Sequence, residues 1–183
     1  KTHFNQPTDV AFGSDGSFYV SDGYVNSRVA HFDRNGNWRS EWGKKGSAEG
    51  AFLNPHGLVL LPRGAGVLVA DRENSRLQLF DARGRFKRQW AGEKDAQTTG
   101  RIFCVDADSA GFLYLGIRRA DYDVEHTGFV KLDRNWNIVD SVGFGKSGDP
   151  RFNAVHDIAV GPDGSIYVAE TRTKRVVKLR PVQ

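Results

Sequence analysis

The segment SDGYVNSR at residues 21–28 returns, with changes, as ADRENSR at residues 70–76. Each copy stands between two short apolar runs, and the second run ends in Phe32 or in Phe80. A third version, VAETRTKR, occupies residues 168–175. Self-similarity at a long period is the signature of a repeat architecture, so it decides the fold before any chemistry is considered.

Four longer copies align on a turn glycine, with spacings of 50, 45 and 53 residues between Gly16, Gly66, Gly111 and Gly164. Each copy reads as four short strands joined by turns, and Asp-Gly pairs between apolar runs are strong hairpin signals. Four antiparallel strands at this period are typical of a β-propeller blade. The sequence therefore predicts an all-β chain that forms one propeller domain over residues 1–183, with blades at about 7–44, 54–92, 102–142 and 154–181.

A β-sandwich or a solenoid of short strands is the alternative to a propeller. The equivalence of all four units, each with four short antiparallel strands, favours the propeller over both alternatives. No segment has the sustained 3.6-residue apolar period of an amphipathic helix.

Composition restricts the class of protein only broadly. A net charge of +4 in 183 residues, spread along the chain, fits a solvated surface better than a nucleic-acid face. No apolar run reaches the ~18 residues that a membrane helix needs, and the start lacks a secretory signal pattern. The single cysteine, Cys104, excludes an internal disulfide, and its apolar neighbours predict a buried thiol. The compartment stays undetermined.

The turn pattern Val-Ala-Asp-x-x-Asn-x-Arg resembles the NHL repeat, a repeat of β-propellers. The resemblance extends further, to the catalytic domains of the peptidyl-α-hydroxyglycine α-amidating lyase family. It covers nearly the whole chain and is weakest in the third unit. The residues that carry it are His3-Phe4, Gln6 to Ala11, Val20 to Tyr24, Asn26 to Arg28, Pro55-His56, Val69 to Asn74 and His156-Asp157-Ile158.

This resemblance implies a six-bladed propeller, so that two further blades would precede Lys1. It also implies a catalytic zinc held by three histidines from alternate blades, a tyrosine and two arginines beside it, and a structural calcium. The implied reaction is the cleavage of a peptidyl-α-hydroxyglycine to a peptide amide and glyoxylate, with a small peptide-like substrate.

The repeat alignment supports the histidine assignment independently. Two residues before the first strand of each unit stand Thr8, His56, Phe103 and His156. Histidine therefore recurs in every second unit, and three such positions in a six-bladed ring would be related by a three-fold rotation. Three imidazoles with an open fourth position form a catalytic zinc site. A hydrogen-bonding histidine at a strand end is the alternative reading for both His56 and His156.

Tyr24 and Arg72 are the candidate catalytic residues. The Asp22–Arg28 turn is one residue longer than the Asp71–Arg76 turn, and such an insertion can re-aim a side chain. By resemblance, Tyr24 is the base that acts on the substrate hydroxyl. A free tyrosine has a pKa of ~10, so a nearby cation would be needed near neutral pH. Arg72 matches a site arginine of the family. The alternatives are a half-buried turn tyrosine and an ion pair of Arg72 with its acidic neighbours.

Asp157 matches the calcium-binding aspartate of the family, and an acceptor that orients His156 is the alternative.

A second function stays open: a non-catalytic NHL propeller that binds protein or RNA. The sequence hints for RNA are Trp38-Arg39 and Arg118, Arg119 and Tyr122 in the insertion at residues 118–127, which could also serve as a lid. Because an unclosed propeller exposes strand edges, we also expect self-association.

Overall fold

The computed structural model describes residues 3–91, 100–119, 126–145 and 148–180. Its chain divides into two compact units, Lys1–Ala91 and Gly92–Gln183. Each unit contains two antiparallel sheets whose strands follow one another in chain order. The all-β propeller class, with four-stranded antiparallel blades, is thereby confirmed. No helix in these ranges is long and apolar enough to span a membrane.

The first unit contains blades 1 and 2. Blade 1 is formed by β1 (Asp9–Phe12), β2 (Phe18–Asp22), β3 (Arg28–Phe32) and β4 (Trp38–Trp42). Blade 2 is formed by β5 (Pro55–Leu61), β6 (Gly66–Asp71), β7 (Arg76–Phe80) and β8 (Phe86–Ala91), with short 3-10 turns at Pro62–Gly64 and Arg72–Asn74.

The second unit contains blades 3 and 4. Blade 3 is formed by β9 (Arg101–Ala107), β10 (Leu113–Arg118), β11 (Thr127–Leu132) and β12 (Ile138–Gly143). Blade 4 is formed by β13 (Val155–Val160), β14 (Ile166–Glu170) and β15 (Arg175–Leu179). Within the described residues blade 4 therefore has three strands, one fewer than its three counterparts.

A buried carboxylate at the end of the second strand organises three of the four blades. In blade 2, Asp71 accepts hydrogen bonds from the Leu53 N–H (2.7 Å), from Asn74 (2.7 Å) and from Nε of Arg76 (2.8 Å). The Asp-x-x-Asn-x-Arg spacing of the sequence repeat is thus the spacing of one carboxylate and its two side-chain donors. The carboxylate fixes the turn between the second and third strands and ties it to the segment that enters the blade.

The same arrangement returns in blades 1 and 4 with altered chemistry. Asp22 accepts from the Asn5 N–H (2.9 Å), from Asn26 (2.7 Å) and from Arg28 (3.0 Å). Glu170 takes this place in blade 4, where its partners are the Asn153 N–H, Thr173 and Arg175. A left-handed residue precedes the arginine each time, namely Ser27, Ser75 and Lys174. The extra residue of blade 1 lies in this turn, as the sequence predicts.

Blade 3 lacks the carboxylate. The strand register places Ile117 where the other blades have Asp or Glu, and Gly128 where they have arginine. Ile117 is fully buried, so an apolar contact replaces the ionic one. This substitution explains why the repeat is weakest in the third unit.

The apolar core lies between paired blades. In the first unit Tyr19 and Val29 of blade 1 pack with Leu58, Val67 and Phe80 of blade 2. The second unit repeats this pattern, in which Tyr114 and Phe129 of blade 3 pack with Ile158 and Val168 of blade 4. Cys104 is buried in that second core, which confirms the predicted structural thiol.

The ionic network of blade 2 predicts a large loss of stability when its cation is removed. Arg76, whose side chain is 8% exposed, also donates to Gln89 and to the carbonyls of Ala48 and Ala51. We expect Arg76→Ala to lower the free energy of unfolding by about 3–5 kcal/mol, because a buried carboxylate loses its counter-charge. Urea denaturation measures this change.

The matched control is Arg39→Ala, since the side chain of Arg39 is 61% exposed in its pair with Asp33. We expect a change within about 0.5 kcal/mol for this variant. Equal effects of the two substitutions would contradict the importance of the buried carboxylate.

Glu170 predicts a pH-dependent contribution to stability. Burial opposes ionisation of its carboxyl, but hydrogen bonds from Arg175, Thr173 and the Asn153 N–H outweigh burial and hold its pKa below the ordinary value. A lowered pKa in the folded state stabilises the fold above the unfolded pKa and ceases to do so as the pH falls through the folded pKa. The stability difference between the native chain and Glu170→Gln should therefore be largest above about pH 5.5 and shrink below about pH 4.

Urea titrations across this pH range test the expectation. Asp140→Asn is the control, because this carboxylate is exposed and accepts a hydrogen bond from the adjacent Ser141 N–H. A difference for Glu170→Gln that is independent of pH would contradict the role of the ionised carboxylate.

Candidate functional site

In blades 2, 3 and 4 the position that alternates between histidine and other residues is a β-bulge. In blade 2, Pro55 pairs with Asp71 and Leu58 pairs with Val69, so His56 and Gly57 together face a single residue. Phe103 in blade 3 and His156 in blade 4 are the extra residues at the same point of their first strands. Both histidines therefore lie inside strands β5 and β13, and their predicted position ahead of the strand is wrong. A bulge releases a side chain from the alternation of the sheet and re-aims it.

Three predicted site residues meet in the first unit. The hydroxyl oxygen of Tyr24 lies 3.3 Å from Nη1 of Arg72, within hydrogen-bond distance. The guanidinium carbon of Arg72 lies 5.2 Å from the centre of the Tyr24 ring. The ring of His56 meets that of Tyr24 edge-on, with centroids 6.0 Å apart. We call Tyr24, His56 and Arg72 the first-unit cluster; the catalytic roles of its members remain predictions.

The members of this cluster differ in exposure. His56 is 4% exposed, whereas Tyr24 is 49% exposed at the tip of its turn. The side chain of Arg72 is 14% exposed and also pairs with Glu73 at 2.9 Å. The ion pair considered as an alternative is therefore present, and it coexists with the contact to Tyr24. An accessible phenol backed by a cation and a buried imidazole can exchange a proton with a bound molecule.

Backbone contacts hold the first-unit cluster together. The Arg72 N–H donates to the Asn54 carbonyl at 3.1 Å, and Thr8 Oγ1 donates to the Pro55 carbonyl at 2.8 Å. Gly23 is required because an added Cβ would lie 2.0 Å from the Pro55 carbonyl oxygen. The turn of blade 1 thus presses against the segment that carries His56.

Asn54 is a site residue that the sequence reasoning missed. Its backbone is left-handed, with φ of 68°, and it directly precedes Pro55-His56. Its side-chain oxygen is buried next to Gly23 and accepts no hydrogen bond from the part of the chain that the structure describes. A buried acceptor without a partner calls for an explanation, such as a bound donor. The sequence signal was an asparagine, a residue tolerant of left-handed backbone, just before a predicted ligand.

His156 lies in a different environment in the second unit. Its ring centroid is 5.8 Å from that of Phe103, and the guanidinium carbon of Arg118 lies 3.9 Å from the Phe103 ring centre. Arg118 donates to the carbonyls of Val155 (2.6 Å) and Ala154 (2.9 Å). The register places Arg118 in blade 3 where Arg72 stands in blade 2. An arginine thus fixes the backbone next to His156.

Two other sequence predictions relate to this unit. Asp157 is exposed, and its carboxylate accepts from the Ile158 N–H at 2.9 Å. Of the basic and aromatic residues noted for RNA, Arg118 is held on backbone carbonyls, whereas Tyr122 and most of the proposed lid lie outside the described residues.

The described residues supply only part of the predicted metal sites. Within the described ranges no group of three or more His, Cys, Asp or Glu side chains could hold a metal ion. His56 and His156 offer the right donor type at equivalent bulges, one in each unit. These residues fit zinc in chemistry but do not by themselves complete a three-ligand site.

Comparison with known proteins first defines the class. The NHL repeat model matches residues 4–32, 52–80 and 152–179. These are blades 1, 2 and 4, the three blades with a carboxylate at the end of the second strand. Blades 1, 2 and 4 of this β-propeller fold therefore match the NHL repeat that the sequence predicted.

Individual similar proteins indicate a narrower class than the repeat model does. The chain is 35% identical to peptidyl-glycine alpha-amidating monooxygenase A of Xenopus laevis, over 99% of this chain and 20% of the frog protein. It is 33% identical to peptidyl-alpha-hydroxyglycine alpha-amidating lyase 1 of Drosophila melanogaster, over 96% of this chain and 35% of the fly protein. The chain thus spans about a fifth to a third of the length of these relatives.

A solved structure of a streptogramin B lyase matches 99% of this chain and 57% of its own, with a TM-score of 0.65 at 11% identity. An identity this low supports the shared fold alone. The similarity to the amidating enzymes therefore rests on sequence.

The tight contact at Gly23 predicts the effect of adding one methyl group. We expect Gly23→Ala to lower the free energy of unfolding by about 1–3 kcal/mol, because the Pro55 carbonyl occupies the required space. The Tyr24 turn should move outward, so that NMR contacts between the rings of Tyr24 and His56 are lost. Val25→Ala, at an exposed position of the same turn, should preserve both the contacts and the stability. Intact ring contacts in Gly23→Ala would refute the expectation.

Proposed function

We propose that this chain supplies part of the active site of a C–N lyase, which converts a peptidyl-α-hydroxyglycine into a peptide amide and glyoxylate. The observation that carries the proposal is the convergence of Tyr24, His56 and Arg72 from three separate segments. The similarity to proteins named as amidating lyases supports the same reading. The substrate class is a small peptide that ends in hydroxyglycine.

The reaction needs a proton to move but no external reagent. The hydroxyl of the substrate loses its proton, its oxygen forms the carbonyl of glyoxylate, and the bond from that carbon to the amide nitrogen breaks. The nitrogen then takes up a proton to complete the peptide amide. One group that accepts the first proton and returns it to the nitrogen is sufficient.

Tyr24 is suited to this transfer by position. Tyr24 is exposed at the tip of a turn, while His56 is buried and the side chain of Arg72 is only 14% exposed. In the proposed reaction it takes the hydroxyl proton as a phenolate and passes that proton to the leaving nitrogen. The buried His56 ring fixes the edge of the Tyr24 ring and limits its rotation.

Arg72 is the cation of the cluster. Its Nη1 contacts the Tyr24 oxygen, so negative charge that develops there during proton transfer meets a positive group. The planar guanidinium also matches the carboxylate of a terminal hydroxyglycine. Glu73 holds the opposite edge of the guanidinium and keeps it aimed at Tyr24.

The metal predictions belong to the whole protein. His56 and His156 would each give an imidazole to a zinc ion, together with a third ligand from outside the described residues. Zinc would supply Lewis-acid polarisation of the substrate oxygens. Asp157 would take part in a structural calcium site.

Glyoxylate release tests the proposal. The full-length protein that contains this chain is incubated with α-hydroxyhippurate, and benzamide and glyoxylate are measured. We expect Tyr24→Phe to lower kcat by about 10²–10⁴-fold, because the proton acceptor is lost. Arg72→Ala should lower kcat/KM by about 10–100-fold through the loss of a charged hydrogen bond. Bound zinc, measured by mass spectrometry after dialysis, should fall in His56→Ala and in His156→Ala.

Tyr167→Phe provides the matched control, because this partly buried tyrosine lies outside the cluster. It should retain the native rate. Absence of glyoxylate release would sink the lyase assignment. Full activity in Tyr24→Phe would remove Tyr24 as the proton acceptor, and a zinc-free but active protein would remove only the metal part.

A further inference from the structure

The backbone just ahead of the bulged histidine is held differently in the two units. In the first unit Pro55 precedes His56, and the ring of a proline fixes its backbone φ. The Pro55 carbonyl also accepts a hydrogen bond from Thr8 Oγ1 at 2.8 Å. In the second unit Val155 precedes His156, so no proline fixes the chain at this point. The second unit therefore needs other contacts to hold the backbone that carries its histidine.

Ala154 adds to this need. Its backbone is left-handed, with φ of 58°, and its counterpart in the first unit is Asn54, with φ of 68°. Asparagine visits this conformation readily because its short polar side chain can bond locally, whereas alanine adopts it at a cost in free energy. A residue of this kind persists only where the surrounding structure holds it in place.

Arg118 of blade 3 holds both residues. Its Nε donates to the Val155 carbonyl at 2.6 Å, and its Nη2 donates to the Ala154 carbonyl at 2.9 Å and to Thr171 Oγ1 at 3.1 Å. The planar fork of a guanidinium can hold two successive carbonyl groups at once, which a lysine ammonium does less precisely. Thr127 Oγ1 accepts from the Val155 N–H at 3.1 Å, so both backbone groups of Val155 are bonded to blade 3.

Phe103 connects the same guanidinium to the histidine ring. The guanidinium carbon of Arg118 lies 3.9 Å from the centre of the Phe103 ring, where a cation is attracted to the aromatic face. The centre of the Phe103 ring lies 5.8 Å from that of the His156 ring. Arg118 therefore acts on His156 by two routes, through the backbone that carries the histidine and through the ring beside it.

The two units obtain the donor to the carbonyl from different places. Thr8 and Phe103 are equivalent in the repeat, but phenylalanine has no hydroxyl to donate. The residue of blade 1 equivalent to Arg118 is Gly23, whose backbone lies directly against the Pro55 carbonyl. In the second unit an arginine side chain thus takes over the tasks that a threonine hydroxyl and a proline ring perform in the first.

We propose that Arg118 is a positioning residue for His156, because it fixes the bulge from which the imidazole projects. The catalytic consequence rests on the proposed function, in which His156 gives an imidazole to zinc. Removal of groups that orient a metal ligand typically lowers metal affinity or activity by about 10–100-fold.

The position of the histidine ring can be measured without metal or substrate. The full-length protein that contains this chain is prepared metal-free, with ¹³C-labelled histidine, and nuclear Overhauser contacts between rings are recorded. Arg118→Met keeps the length of the side chain but removes its charge and its donors. It should abolish the contact between His156 and Phe103 and preserve the contact between His56 and Tyr24.

Two further variants make this measurement selective. Thr8→Val removes the hydroxyl that holds the Pro55 carbonyl, so it should disturb the His56 ring and leave the His156 ring in place. Arg134→Met is the matched control, because Arg134 is an exposed arginine of the same blade that donates to the Ala110 carbonyl. It should leave both histidine rings unchanged.

Zinc binding and turnover then measure the consequence. Affinity for Zn²⁺, determined by competition with a chelator, should fall about 10–100-fold in Arg118→Met. With α-hydroxyhippurate as the substrate, kcat should fall by a similar factor while KM changes little. Arg118→Lys should recover part of both losses, since lysine keeps the charge and can still donate.

An unchanged contact between His156 and Phe103 in Arg118→Met would overturn the proposal. The same holds if Arg118→Met and Thr8→Val each disturb both histidines, because a general loosening of the fold would then be the cause. If Arg118→Met does not fold, Arg118→Lys decides: its ring contact should weaken, and an unaltered contact rejects the proposal. Failure of the lyase or zinc assignment is recognised separately, because the ring contacts are measured without metal and substrate.

Discussion

The buried carboxylate at the end of the second strand is the interaction on which blades 1, 2 and 4 depend. Asp22, Asp71 and Glu170 each join a backbone N–H of the entering segment, a side chain of the turn and an arginine of the third strand. Because all three partners belong to the same blade or to the segment that enters it, each of these blades sets its own turn geometry. Blade 3 uses Ile117 instead and loses the ionic anchor. The NHL repeat model matches the three blades that contain this carboxylate. The carboxylate and its hydrogen-bond partners therefore account for the repeated sequence pattern.

Much of the fold could be predicted from the sequence, because the anchor and the hairpin turns use residues at fixed spacings. Asp-Gly turns and the Asp-x-x-Asn-x-Arg pattern are local signals. The bulges at His56 and His156 could not be predicted, since an extra residue in one strand is defined only by the register of its partner. The repeat did reveal that these positions are equivalent, although it placed them ahead of the strands rather than within them.

In the candidate site, too, local sequence signals could be recognised, whereas features that depend on tertiary contacts could not. The extra residue in the blade 1 turn drew attention to Tyr24, and the structure places its hydroxyl next to Arg72, 48 residues further along the chain. Asn54 was missed, and Arg118 was noted only as a hint of RNA binding, because their significance comes from tertiary contacts. Asn54 has a buried oxygen that no described residue donates to, and Arg118 donates to two carbonyls. Neither has a spacing that distinguishes it from an ordinary polar residue.

The bulge in the first strand has a consequence for how such a protein can change. A side chain in the regular part of a sheet must suit one of two faces, so its exchange disturbs the packing of a neighbouring blade. The bulged residue belongs to neither face, and the chain accepts imidazole at His56 and His156 but a phenyl ring at Phe103 without altering the strand order. The residue at the bulge can therefore be substituted while the strands around it keep their pairing. Chemistry can be gained or lost there, one blade at a time, while the propeller stays the same.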